Sequence, residues 1–196
     1  MPCYRLAALL IAGLCAVGPA LAQSPPAAEP PAASPSPEPL KAGDAFGQEV
    51  TLPERTIIYF NGHANRDSVY ETLVEAHKSL KQYLDKQGIK PDGPAMTIYT
   101  ETDDTGFGFH AAVPVAEPPK EAPTGDIAVG KAPSGKALKF VHRGPYDAMD
   151  TTYEAITNYL DDKQIEAKEQ FFEEYVTDLL TADPDKLIVN IYVPVK

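Results

Sequence analysis

An α+β fold built from two strand–helix–strand–strand units is what this 196-residue sequence predicts. The units pair about a pseudo-twofold into one antiparallel sheet, with the helices on one face and a cleft at the centre. Three observations lead there. Two β-rich runs are each followed by an amphipathic helical pattern, the two helices carry matching landmarks, and both halves close on the same Val-Pro-Val ending.

The first unit opens with "RTIIYF" (55–60), a run of β-branched and aromatic residues that favours a strand. Val69, Leu73, Ala76, Leu80 and Leu84 then recur at helical spacing and give one apolar stripe. "MTIYTE" (96–101) is a second strand, "DDTG" (103–106) a hairpin turn, and a closing strand ends at 113–115. The second unit repeats the order. It has "KALKFVH" (136–142), a helix with Met149, Tyr153, Ile156 and Leu160 on one face, "FFEEYVTD" (171–178), a connection through "TADPDK", and a closing strand that ends at 193–195. Each helix carries a Tyr-Glu pair near its start (Tyr70-Glu71, Tyr153-Glu154) and a Tyr-Leu-Asp near its end. These marks make the first helix seven residues, about two turns, longer than the second. The helix stripes are read as core. An additional strand, "QEVTL" (48–52), leads into the first unit. The repeats span about 46–116 and 136–196, separated by the low-complexity "AEPPKEAPTG" (116–125).

The folded region is expected over residues 43–196. Before it, Arg5, an apolar run over 6–17 and a small-x-small site at Ala20 and Ala22 read as a cleavable signal peptide, residues 1–22. The run is too short for a membrane anchor, and Leu14 before Cys15 does not fit a lipoprotein site. Residues 23–42 are rich in Pro and Ala, bury nothing and read as a disordered or polyproline-like linker. The protein is therefore expected to be periplasmic or secreted, with no membrane anchor after cleavage. Both cysteines, Cys3 and Cys15, leave with the signal, which excludes thiol nucleophiles, redox pairs and thiolate metal sites.

The formal charge of −11 argues against nucleic-acid partners, which require a basic surface, and suits cations. Acidity of this size also serves solubility alone. His63, His77, His110 and His142 show no metal-ligand spacing and read as structural or surface residues; no metal or cofactor is expected. No phosphate-cradling glycine loop or GxSxG element is present.

"GPAMTIY" (93–99), "HRGPYDAM" (142–149), "FFEEYVTD" and "LIVNIYVPV" (187–195) resemble the GyrI-like small-molecule-binding domain, which also forms the effector-binding part of many AraC-type and MerR-type regulators. The resemblance covers about residues 46–196. It implies a central aromatic-lined cleft that takes a hydrophobic or cationic organic ligand. It also implies a pocket glutamate two residues before a strand tyrosine, matched here by Glu173 and Tyr175. Some members resemble hydrolases of cyclopropane-bearing compounds that use such a glutamate and tyrosine. The residues before Gly43 read as signal and linker, so no DNA-binding domain is expected, nor direct control of transcription or of gyrase.

Side chains alternate along a strand, so Phe171, Glu173, Tyr175 and Thr177 share one face and Glu174 the other. The repeat register aligns Tyr99 with Tyr175 and Thr97 with Glu173, and all four are expected in the cleft. Tyr146, after Gly144-Pro145, is aimed from a helix mouth toward the same cleft or packs to fix the turn. Phe171, Phe109 and Tyr192 complete the candidate ligand-binding set, the last two with core packing as the equal alternative. Arg143 anchors a carboxylate or is a solvated strand end. The pocket is read first as a non-catalytic binding module with no catalytic residue assigned, and alternatively as a hydrolase site in which Glu173 activates water.

The mature chain should begin at Gln23, checked by N-terminal sequencing of exported protein; a chain that retains Met1 or carries lipid on Cys15 would remove the signal-peptide reading.

Overall fold

β-Branched and aromatic runs separated by Gly, Pro and Asp turns order the chain into strands wherever one face can be buried. The computed structural model describes residues 37–196. The expected signal peptide (1–22) and the linker up to residue 36 lie outside the described residues. In chain order the elements are β1 (Phe46–Leu52), β2 (Thr56–Asn65), α1 (Val69–Gln87), β3 (Met96–Thr102), β4 (Gly106–Pro114), β5 (Ile127–Lys131), β6 (Gly135–Gly144), α2 (Met149–Lys163), β7 (Phe171–Tyr175) and β8 (Leu187–Pro194).

The eight strands form one antiparallel sheet in the order β1-β6-β8-β7-β3-β4-β2-β5. Reading outward from the central β7–β3 pair, the order is β8, β6 on one side and β4, β2 on the other, the same in both halves. Across that pair Thr97 lies opposite Glu173 and Tyr99 opposite Phe171. The sheet is the predicted α+β architecture. Both helices lie on one face, where Leu73, Ala76, Met149 and Ile156 pack with Phe109, Phe140, Val189 and Ile191. The other face carries a second apolar layer that includes Ile57, Met96, Phe172 and Tyr192.

Several boundaries differ from the sequence reading. β5 was not expected; it borders the low-complexity stretch and forms the edge beside β2. β7 stops at Tyr175 because the Val176 and Thr177 N–H groups both turn to the Ile188 carbonyl, so Thr177 is not a strand residue. α1 has 19 residues and α2 has 15, a difference of one turn rather than two. The Tyr-Glu landmarks are therefore not equivalent positions: Tyr70 is the second residue of α1 and Tyr153 the fifth of α2.

Arg143 is not a solvated strand end. Its Nε and a terminal guanidinium nitrogen hold both carboxylate oxygens of Asp44 at 2.6 and 2.7 Å, which depresses the Asp44 carboxyl to about 2 and ties the chain entering β1 to β6.

Phe109 lies on the helix side of β4 and is 1% exposed. Its ring covers Gly62 so closely that a β-carbon there would collide with it. Gly62→Ala should therefore destabilise the fold by about 1–3 kcal/mol, the usual cost of overpacking, as read from the denaturation midpoint. A midpoint within error of wild type would mean that the Phe109 ring has room to move.

Candidate functional site

A strand that buries one face places every second side chain in the same environment. On β7 this sends Glu173 toward the helices and Glu174 to the opposite face, where Asn190 and Tyr192 donate to Glu174 Oε1 and Arg55 stands 3.9 Å from Oε2. Glu173 has no such route to water: it is 0% exposed. A buried carboxylate is costly unless donors surround it, and here the donors are phenols. Tyr99 and Tyr153 donate to Oε1 at 3.0 and 2.7 Å, and Tyr175 donates to Oε2 at 3.0 Å. Because the Tyr99 proton is committed to the carboxylate, Tyr146, 3.0 Å away, donates to the Tyr99 oxygen. Thr97 Oγ1 lies 2.8 Å from the Tyr175 hydroxyl.

Each phenol arrives from a different element. Tyr99 comes from β3, Tyr175 from β7 and Tyr153 from α2. Tyr146 comes from a short 3-10 turn between β6 and α2. Gly144 makes that turn possible with φ of +113°, a conformation that glycine tolerates. Pro145 follows in an extended conformation, so it precedes the helical turn rather than occupying its first position. His142 clamps the arrangement: its Nε2–H donates to the Pro145 carbonyl at 3.1 Å, and Nδ1 accepts from Thr152 of α2 at 2.8 Å.

Above this floor lies a cleft of about 550 Å³, within the range of small-molecule sites. Phe171 stacks on Tyr99 with ring centroids 4.8 Å apart and meets Tyr153 edge-on at 5.2 Å. Tyr70 packs against Tyr146 at 5.1 Å, and Phe107 closes the wall beside Tyr99. Asp67, Glu71, Asp147 and Asp150 stand at the mouth. The one basic residue there, Arg66, is engaged with the Asp103 carbonyl at 2.7 Å and lies over the Phe107 ring.

The structure thus brings together Glu173, Tyr175, Tyr99, Thr97, Tyr146 and Phe171, but Tyr175 and Thr97, expected in the cleft, are buried beneath it as hydrogen-bond partners and do not line it. It does not bring in the other two candidates. Phe109 is core beneath α1, and Tyr192 is on the opposite face, stacked on Phe172 at 4.8 Å. Tyr192 pairs directly with Phe172, so the alternation that turns Glu173 toward the helices turns Tyr192 away. Tyr153, read from its helical spacing as core, is instead a direct carboxylate partner, and Tyr70 and Phe107 were not anticipated. The signal for Tyr153 was its hydroxyl: a phenol on an apolar stripe needs a buried partner.

Burial pushes the Glu173 carboxyl above its ordinary value of 4.5, and the tyrosine hydroxyls only partly offset it. Burial and the nearby carboxylate push all four phenols well up, so they remain protonated donors. Among the described residues no group of three or more His, Cys, Asp or Glu side chains is placed to hold a metal ion.

A caged carboxylate under an aromatic cleft, on an open antiparallel sheet, defines a small-molecule-binding domain. The family model of the GyrI-like small molecule binding domain matches residues 48–196, and the chain belongs to that family. Comparison with curated proteins finds no match. Among solved structures, the EcmrR C-terminal domain is similar with a TM-score of 0.67 and 17% identity, over 78% of this chain and 98% of that one. Against EcmrR in its DNA complex the TM-score is 0.66 at 18% identity over 77% of this chain, which spans 57% of the EcmrR chain. SAV2435 bound to tetraphenylphosphonium has a TM-score of 0.54 at 18% identity, over 77% and 94% of the two chains. A hydrolase from Listeria innocua has a TM-score of 0.53 at 13% identity, over 79% and 94%. At these identities the likeness concerns the fold.

Because its pKa is raised on folding, Glu173 binds more protons in the folded than in the unfolded state between pH 4.5 and its folded value, so stability falls as pH rises through that window. Glu173→Gln should therefore melt a few degrees higher than wild type at neutral pH, the difference closing below about pH 4.5. Thermal denaturation of both proteins across pH checks this; a less stable variant at neutral pH would mean that the phenol hydrogen bonds outweigh burial.

Proposed function

We propose that this is an exported binding protein whose cleft captures a bulky, amphipathic organic cation. The observation that carries the reading is Glu173: a fully buried carboxylate held only by neutral hydroxyls, with no basic side chain of the described residues paired to it. A protein leaves a negative charge in that state at a cost in stability, and a ligand that brings the missing positive charge recovers it. The rings of Tyr70, Tyr146, Tyr153 and Phe171 offer π-faces to the rest of such a ligand. The acidic mouth raises the local concentration of cations. SAV2435, similar in fold, is bound to tetraphenylphosphonium, a ligand of this class. Export rests on the signal-like residues 1–22. To reach the carboxylate the cation must move the half-buried Tyr146 and Tyr153 side chains that roof it.

A second reading is favoured by the same geometry. A carboxylate with a raised pKa beside phenols is suited to general acid–base work, and one protein of similar fold is a hydrolase. In that case Glu173 would take a proton from water while a tyrosine hydroxyl polarises a strained electrophile. The two readings divide on turnover: a binding protein leaves a cyclopropane-bearing substrate intact, and a hydrolase consumes it and stops when Glu173 becomes glutamine.

Titration calorimetry with tetraphenylphosphonium should show Glu173→Gln weakened by about tenfold or more, about 1.4 kcal/mol. Glu174→Gln should be unaffected, because that side chain faces the other side of the sheet. Neutral triphenylphosphine oxide should be nearly insensitive to both. Since the cation favours the ionised carboxylate, wild-type affinity should fall as pH is lowered, beginning above the range where an ordinary carboxylate protonates. Equal losses at 173 and 174 would place the ligand elsewhere.

A further inference from the structure

The hydrogen-bond chain that begins at Glu173 continues through the sheet-facing side of α1. Tyr175 donates to Glu173 Oε2 at 3.0 Å, Thr97 Oγ1 is 2.8 Å from the Tyr175 oxygen, and His77 Nε2 is 3.1 Å from Thr97 Oγ1. A phenol and a hydroxyl each have one proton to give. With the Tyr175 proton committed to the carboxylate, Thr97 must donate to Tyr175, and His77 Nε2–H must donate to Thr97. The ionised carboxylate thereby sets the tautomer of a histidine three hydrogen bonds away. His77 is neutral at physiological pH, since burial pushes it down to about 4. Its Nδ1 is therefore left as an acceptor with a free lone pair.

That acceptor meets a cavity that the cleft does not include. Between α1, the loop before β3 and the loop after β7 lies a space of about 380 Å³, walled by Leu84, Pro91, Val113, Leu179 and Leu180. His77 lines it, although only 4% of the residue is exposed. Among the described residues Nδ1 has no hydrogen-bond partner, and no fully buried side-chain nitrogen or oxygen lacks one, so Nδ1 is the polar atom that reaches the space. Lys81 and Asp85, also at its edge, are paired with each other at 2.7 Å, and the exposed Asp178 beside them accepts from the Leu180 N–H at 2.9 Å. A largely apolar cavity with a buried, unpaired acceptor directed into it has the chemistry of a ligand site.

We propose that this cavity is a second binding site, for a small, largely apolar molecule with one hydroxyl that donates to His77 Nδ1, a simple alkylphenol being the fitting class. The site rests on the hydrogen-bond chain and the cavity, and is independent of whether the first cleft takes a cation.

The test uses the purified full chain with 4-propylphenol and its methyl ether, 4-propylanisole, which has the same shape without the donor. The phenol should bind about tenfold more tightly by calorimetry, as expected when a buried acceptor would otherwise stay unpaired. Leu180→Trp, which fills the cavity, should abolish phenol binding, and His77→Phe should abolish the preference for phenol over ether. Saturating tetraphenylphosphonium should leave the phenol bound. Equal affinity for the two probes, no binding of either, or displacement of the phenol by tetraphenylphosphonium would overturn the second site. If His77→Phe does not fold, the probe comparison and Leu180→Trp decide alone. If tetraphenylphosphonium does not bind while the phenol preference and its loss in Leu180→Trp hold, the second site stands and the cation reading of the first cleft falls.

Discussion

The pairing of Thr97 with Glu173 across the two central strands is the constraint on which the rest of the site depends. It puts a carboxylate in the middle of the sheet, far from every edge at which water could reach it. From that placement the surrounding chemistry follows. Hydroxyl donors have to converge from both halves of the molecule, because one strand can supply only its own alternate residues. Tyr175 comes from the same strand, Tyr99 from its neighbour, and Tyr153 from the helix above, with Tyr146 behind Tyr99. Neutral donors make the charge tolerable without cancelling it. A lysine or arginine in the same place would have given a closed ion pair and left nothing for a ligand to complete.

Glu174 supplies the contrast within one dipeptide. Its carboxylate also lies at the sheet, but it is partly open to solvent, accepts from Asn190 and Tyr192, and has Arg55 nearby. Burial raises the pKa of Glu173 and of its phenol partners on the helix side. Adjacent residues of one type thus acquire different chemistry from the alternation of a strand and from what covers each face.

The central strands and their facing were legible in the sequence because period-two alternation needs only local information. "FFEEYVTD" and "MTIYTE" announced which residues share a face, and the similarity of the two halves aligned Thr97 with Glu173 as equivalent positions; that the two also lie opposite each other across the central strands is a feature of the structure. What was not legible depended on partners distant in the chain. Tyr153 looked like one more member of a helical stripe, since periodicity reports that a face is buried and not what it is buried against. Phe109 does lie on the helix side, but whether it reaches the cleft is decided by α1, which covers it and Gly62 together. Tyr192 failed for a simpler reason: its facing follows from the β7–β8 register, which the sequence leaves undetermined when the connection is long. β5 was hidden by the low-complexity residues beside it, and it exists because β2 offers it an edge.

The hydroxyl network also has a direction, which bears on how such a site responds to a ligand. An ionised Glu173 orders every proton around it: Tyr146 toward Tyr99, Tyr99 and Tyr153 toward the carboxylate, and the Thr97–Tyr175 pair toward the same charge. These groups come from both halves of the sheet, so the charge orients both at once. A cation keeps the carboxylate ionised and so keeps all of these donors oriented, whereas a neutral ligand that only fills the aromatic cleft leaves the buried charge uncompensated. Discrimination between charged and neutral ligands of one shape can therefore exceed what a single contact would supply, because the whole set of phenols is coupled to one ionisation.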